Sequence, residues 1–447
     1  MFICTAGGPL EPDRRVTVDN KNRFWKGALV GALLTTFAAL VIVGMSLGIF
    51  MIGRTAGRGQ AAESAQAENQ EGNLDLNRIA SKIQTIQKVV DKYYLFDEDM
   101  GNVEDWIYKG MLFGLEDPYT VYYTKDEYEK LMEDTSGEYY GIGVMVSQSA
   151  ATGIITVTKV FEGTPGAEAG VLPGDIIYKV GDTEVTGMDL ELVVKDHIKG
   201  KEGTPVTITV LREEANDYID LTMDRRQITV PTVEHEMLAD HVGYVSVSQF
   251  DTVTADQFKD AIDDLEGSGM EKLVVDLRNN PGGVVDAVVS MLDYILPDDL
   301  TVEGDPGLVR TKKNKTLLVY MADKNGKGEQ YYTSDNHEVD MPMAVLVNGQ
   351  SASASEVFSG ALKAYGKAKL VGTKTFGKGI VQTLFPLDNG TAIKMTVAHY
   401  YTPSGFDLHG KGLEPDVPVE LNEDLKTKIT ISHEEDNQLA EAIKALN

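Results

Sequence analysis

Residues 28–53 form a run of 26 residues without a charged side chain, ALVGALLTTFAALVIVGMSLGIFMIG. As a helix at about 1.5 Å per residue it exceeds a hydrocarbon core of roughly 30 Å, so it can span a bilayer with some tilt. A secretory signal has an apolar region of about 7 to 15 residues, too short to match this run. Cleavage within the small-residue stretch 61–67 is the alternative. Five basic residues precede the run and two, Arg54 and Arg58, follow it. That bias sets the N-terminus on the cytoplasmic side. The expectation is a single-pass protein of the cell membrane: a cytoplasmic tail (1–27), a transmembrane helix (28–53), a linker (54–73) and an extracytoplasmic remainder.

Charge divides at the same place. The chain carries −28 overall, from 41 basic and 69 acidic residues. Residues 1–58 hold seven basic and three acidic side chains, +4, which leaves −32 for the other 389. Backbone phosphates need a cationic surface, so no nucleic-acid partner is expected. The one cysteine, Cys4, lies in the predicted tail. It excludes an intrachain disulfide and a cysteine-built zinc site, and it argues against a Cys–His protease. With no H-E-x-x-H and no compact His/Asp cluster, neither metal nor cofactor is expected.

Beyond the linker, Leu74, Leu76, Ile79, Ile83, Ile86, Val89 and Val90 recur at helical spacing and predict a helix over 74–94. Further helices are predicted over 103–115 and 124–132, the last capped by Thr124. These make a small helical region, 74–136. Short strands at 141–146, 154–157, 175–180, 204–211 and 218–223, with helices at 167–169 and 190–198, predict a self-contained module with a partly open sheet, 137–226. From Val242 the pattern is α/β. Strands at 242–250, 272–278, 316–321, 343–348 and 368–374 are interspersed with helices at 254–265, 284–296 and 353–365, with a further strand at 391–401. This core, 227–425, is expected to be a sheet covered on both faces. The surroundings of Gly304 and the polar stretch 324–338 read as excursions. Residues 426–447 read as a tail ending in a helix over 437–446.

Three motifs could carry chemistry. GTKTFGKG at 372–379 nearly matches a phosphate-binding loop. Its last position is Gly379 rather than a hydroxyl residue, and a strand rather than a helix follows, so nucleotide binding is disfavoured. NGQSASASE at 348–356 joins an apolar strand to a helix. Ser353 and Glu356 have the spacing of a capping box. Equally, a serine at such a junction exposes its hydroxyl beside unpaired helix-start N–H groups that can stabilise an oxyanion. Both readings stand. The seven histidines are scattered, so a lysine with a desolvated amine is the alternative base. Lys378, flanked by glycines, is the candidate, and Gln382 could orient it. The third motif, DLRNNPGG at 276–283, reads as a glycine-rich turn able to supply a second oxyanion donor.

Taken together, these stretches resemble the C-terminal processing (tail-specific) peptidases of serine peptidase family S41. The likeness rests on DLRNNPGG (276–283), VNGQSASASE (347–356), GTKTFGKGIVQ (372–382), YYTPSG (400–405), KGLEPDVPV (411–419) and the leader GMLFGLEDPYTVYYT (110–124). It implies an α/β catalytic core like that of crotonase and ClpP, with an inserted PDZ domain. It assigns Ser353 as nucleophile, Lys378 as base and Gln382 as the residue orienting the lysine. Ala354 and a glycine of the pair Gly282 and Gly283 would be the oxyanion donors. Gly141, Ile142, Gly143 and Val144 match the loop that receives a substrate carboxylate. Lys199 stands where relatives often carry an arginine that couples the PDZ domain to the active site, and the change loses the bidentate fork. Phe406 likewise stands where arginine is common. The implied substrates are proteins with apolar C-terminal tails, and a homodimer is open to such chains. The rival reading is a PDZ scaffold that binds C-termini without cleaving them.

Overall fold

The computed structural model describes residues 74–96, 100–212, 217–302, 315–326, 330–334, 337–428 and 430–447. The predicted cytoplasmic tail, apolar run and linker lie outside the described residues. Among those described, no helix is long and apolar enough to cross a membrane.

The helix Leu76–Tyr93 belongs to a compact unit separate from Met100–Asn447. Asp75 caps it, accepting from the Arg78 N–H at 2.9 Å. None of its residues is buried: Leu76, Ile86 and Val89 of its apolar stripe are exposed, and Ile79, Ile83 and Val90 are half-buried.

The unit Met100–Asn447 is built on a six-stranded sheet. Its order is Val233–Met237, Val242–Val247, Lys272–Asp276, Met343–Val347, Ala368–Gly372 and Val417–Pro418, parallel except for the first pair. Strand alternation sorts its side chains. Val245, Val247, Leu273, Val275, Val345, Val347 and Leu370 pack against the helices Thr254–Gly267, Val285–Ile295 and Ala354–Ala364. Val242, Val274, Ala344, Leu346 and Val371 meet Leu439, Ala442 and Leu446, on or just after the helix Asn437–Ala445. Both faces are therefore covered, as near-continuous apolar strands require.

The predicted strand at 316–321 corrects one expectation. Leu317–Ala322 is not part of that sheet but pairs antiparallel with Gln330–Thr333 and Ala392–Tyr401 in a second sheet, with Val121–Tyr123 and Ile380–Pro386. Every residue of Leu317–Ala322 is buried, so its unbroken apolar run looks like that of a central parallel strand. The polar stretch 324–338 is correspondingly not all excursion, since it carries the strand Gln330–Thr333.

The inserted module has its own sheet, in the order Val144–Gln148, Ile155–Val160, Ile176–Val180, Pro205–Arg212 and Asp217–Asp224. Its core gathers Ile142, Ile155, Val157, Ile177, Ile208 and Val210 with Leu190, Val193 and Ile198 of the helical segment 190–198. A fork of Arg212 on the buried Asp175 (2.8 and 2.7 Å) ties the strand Pro205–Arg212 to the turn before Ile176. Burial alone would raise the Asp175 pKa, but the guanidinium and the Leu172 N–H outweigh it and hold the carboxyl below its usual range.

Candidate active site

Lys272–Asp276, Met343–Val347 and Ala368–Gly372 are neighbours in the parallel sheet, and the three motif turns leave their C-terminal ends. That edge is where open α/β sheets hold their ligands. The turns are stitched together. Asn348 accepts from the Asn279 N–H at 3.0 Å and donates to Asn279 Oδ1 at 2.8 Å. The Ser351 hydroxyl donates to the Leu277 carbonyl at 2.8 Å, and that of Ser355 to the Asn280 carbonyl at 2.9 Å.

Ser353 sits on the last residue before the helix Ala354–Ala364, at φ 55° and ψ −115°. A non-glycine residue adopts that conformation only when its surroundings impose it. The elbow is pinned by Glu356, a fully buried carboxylate that accepts four hydrogen bonds. Oε2 takes the N–H groups of Ser353 (3.1 Å) and Lys378 (2.8 Å); Oε1 takes the Thr375 hydroxyl (2.5 Å) and the Gly377 N–H (2.7 Å). One oxygen thus joins the backbone of the candidate nucleophile to that of the candidate base. The Glu356 N–H donates to the Ser353 carbonyl at 2.8 Å. The Ser353 hydroxyl lies near enough to the Tyr400 phenol to influence its ionisation.

Gly282 passes tightly beneath this elbow, and Gly283 lies against the Phe250 backbone. A Cβ on Gly282 would stand 2.7 Å from Ser353 Cβ and 2.9 Å from the Ala354 nitrogen, and one on Gly283 only 2.0 Å from the Phe250 carbonyl oxygen. No side chain fits at either position. The Gly282 N–H is taken by Asn280 Oδ1 at 2.8 Å. The bridge to Phe250 uses the Gly282 carbonyl and the Val284 N–H, leaving the Gly283 N–H outside it. With the Ala354 N–H in the first turn of its helix, Gly283 is the better geometric donor of the two.

The Lys378 amine lies 4.5 Å from the centre of the Tyr119 ring. Burial holds its pKa below the usual lysine value; Lys394 adds to the depression and Asp117 opposes it. Asp117 accepts from the Thr120 hydroxyl (2.6 Å) and the Tyr119 N–H (2.9 Å). Burial pushes its carboxyl up, but these donors and Thr396 outweigh burial and keep it ionised. Gln382 lies on the strand that follows the lysine loop. Its amide is directed at the Ile380 carbonyl and the Thr396 hydroxyl, at 3.5 and 3.4 Å, rather than at the lysine amine. Sequence reasoning did not single out Tyr119, Asp117 or Tyr400. Each stood inside a quoted motif, so their presence was legible but their place beside Lys378 was not.

In the inserted module Gly141 pairs with Arg226, the Ile142 carbonyl accepts from the Gly166 N–H at 2.7 Å, and the Gly143 carbonyl from the Phe161 N–H at 2.9 Å. Val144 opens a strand that stands at the end of its sheet's order. Lys199 donates to Glu133 Oε2 at 2.7 Å and lies 4.8 Å from the centre of the Tyr139 ring, linking the module to the helix Lys125–Ser136. Among the described residues no group of three or more His, Cys, Asp or Glu side chains is disposed to hold a metal ion.

A serine on a strained strand-to-helix elbow, above close-packed glycines, is the arrangement of a serine-type hydrolase. The comparisons agree. The peptidase family S41 profile matches residues 241–419, and a PDZ-domain profile matches residues 156–212. A "Probable CtpA-like serine protease" of Staphylococcus aureus (strain COL) is 34% identical over 418 residues, 94% of this chain and 77% of the relative. Its namesake in Staphylococcus saprophyticus is 36% identical over 348 residues, 78% of this chain and 67% of the relative. Among solved structures, the photosystem II D1 C-terminal processing protease is 29% identical, with a TM-score of 0.43, covering 77% of this chain and 88% of that one. The chain belongs to peptidase family S41.

Proposed function

We propose that this protein is a membrane-anchored endopeptidase that captures the C-terminal tails of extracytoplasmic proteins and cleaves them with a Ser353–Lys378 dyad. The observation that carries the reading is the single Glu356 oxygen holding both the elbow serine and a lysine whose amine is partly desolvated. Ser353 Oγ attacks the scissile carbonyl while the neutral Lys378 amine accepts its proton. The developing oxyanion is met by the N–H groups of Ala354 and Gly283. The lysine ammonium then protonates the leaving amine, and a water deprotonated by Lys378 hydrolyses the acyl ester. Gln382 orients the lysine amine, which requires its carboxamide to leave its long contacts with Ile380 and Thr396.

The substrate's terminal carboxylate is received by N–H groups of the loop 141–144, and its tail adds as a strand beside Val144–Gln148. The buried apolar residues around Ile142 favour an apolar terminal side chain. Lys199, through Glu133, couples tail binding to the helical region beside the active site. Residues 28–53 anchor the chain with its N-terminus cytoplasmic, and the exposed stripe of Leu76–Tyr93 supports pairing with a second copy.

Ser353→Ala is expected to abolish cleavage of an unfolded protein with an apolar tail while leaving tail binding intact, and the trapped complex identifies the captured C-termini. Wild-type turnover in S353A would overturn the nucleophile assignment. Anchoring is tested by alkaline extraction of membranes: release of full-length chain into the supernatant argues against a spanning helix.

A further inference from the structure

Tyr400 is 2% exposed, and the reaction described above makes no use of it. Its hydroxyl donates to the Lys378 carbonyl, and its N–H donates to the Gly379 carbonyl at 3.1 Å. The same phenol lies beside the Ser353 hydroxyl, which opposes the rise in its pKa. Lys378 is therefore gripped from both sides, at its N–H by Glu356 and at its carbonyl by Tyr400. Burial, and then the negative charge of Glu356, hold the phenol pKa well above its usual value, the Ser353 contact opposing them, so it stays a neutral donor.

We infer that Tyr400 is a positioning residue for the dyad, its phenol fixing the Lys378 backbone beside the Ser353 hydroxyl in the resting enzyme. Rotation about the Ser353 Cα–Cβ bond then turns the serine hydroxyl away from Tyr400 and towards the lysine amine. No covalent bond to Tyr400 is made or broken. The hydroxyl matters more than the ring. A phenylalanine would fill the same space, yet it would strand the Lys378 carbonyl without its donor and let the loop shift. A lysine less firmly held is less desolvated, so its pKa moves up towards the ordinary value.

This inference rests on the Ser353–Lys378 reading, and the test separates the two. Tyr400→Phe in the full-length protein is expected to lower kcat about 10- to 100-fold, the worth of one buried hydrogen bond. KM for an apolar-tailed substrate should change little. The acid limb of the pH–rate profile should move to higher pH, so that alkaline assay restores part of the loss; a defect in folding alone would not do this. Tyr401→Phe, at the half-buried neighbour stacked on Tyr320, is the control and should behave as wild type. If S353A is inactive while Y400F has wild-type kcat and an unmoved profile, the role of Tyr400 is overturned and the dyad stands. If S353A keeps its activity, the dyad itself fails. Should Y400F not fold, a fluorinated tyrosine at position 400 keeps the hydroxyl but acidifies it. A displaced profile in that enzyme supports the inference, and an unchanged one overturns it.

Discussion

Replacing Glu356 by Gln tests the architecture most directly, because the two side chains have nearly the same shape and differ in what they accept. The carboxylate takes two donors on each oxygen. A carboxamide can serve one of those pairs, but its NH2 then faces the other two donors. Hydrogen bonds to a buried charge are worth about 1.5–3 kcal/mol each, so losing two costs roughly 3–6 kcal/mol, shared between global stability and local geometry. If the NH2 turns towards Ser353 and Lys378, their common anchor is lost. About 3 kcal/mol of misplacement in the reacting geometry is a factor of about 100 in rate. The assay is cleavage of an unfolded apolar-tailed protein by purified enzyme, with urea unfolding run in parallel. The expected result is kcat/KM down at least about 100-fold together with a lower unfolding midpoint. An E356Q enzyme that matches wild type in both would refute the idea that this carboxylate joins the two halves of the site.

Other outcomes follow from the same geometry. Turnover should rise with pH as the Lys378 ammonium loses its proton, with the limb below the ordinary lysine value of about 10.4; Lys378→Arg, which cannot deprotonate, should fold and be inactive across the whole profile. Tyr119→Leu removes an aromatic face that favours the ammonium form, a contact worth about 0.5–2 kcal/mol, so the acid limb should move down by about one pH unit; an upward move would contradict it. Asp436→Asn removes one of the two buried carboxylates on Arg278 (2.7 Å), Asp276 remaining at 2.6 Å, and should lower stability at neutral pH by about 1.5–3 kcal/mol, the worth of a charge-assisted hydrogen bond, read by denaturant titration. Burial alone would raise the Asp436 pKa, but Arg278 outweighs it and depresses the folded value. The pair's contribution is therefore full above about pH 4 and lost as pH falls through the depressed value, a loss the D436N protein should not show.

Most of the regular structure was legible because it obeys local periodicity. The helix Val285–Ile295 and the strand Met343–Val347 lie within a residue or so of their expected bounds. Periodicity does not say which sheet a strand joins, however, and Leu317–Ala322 was misassigned for that reason. At the candidate site, Ser353 and Lys378 were proposed from their motifs and the family resemblance, and the fold places both on the buried Glu356 carboxylate. Glu356 was read as half of a capping box, and its Ser353 contact follows from three-residue spacing. Its bonds to Thr375, Gly377 and Lys378 come from a loop some twenty residues onward that only the adjacency of two parallel strands brings near. Tyr119 and Asp117 arrive from still farther, because Val121–Tyr123 joins the edge of the second sheet through Ala392–Tyr401. Long-range pairing of this kind leaves no mark in the spacing of residues.

The left-handed conformation of Ser353 has a consequence for descent as well as for chemistry. A glycine there would relax the elbow by about 1 kcal/mol while removing the hydroxyl proposed to attack the substrate. For a lineage in which cleavage no longer matters, the mutation that ends catalysis is also one that firms up the fold. Inactive descendants of such a chain should therefore accumulate glycine at this position faster than chance, and would persist as sturdier proteins.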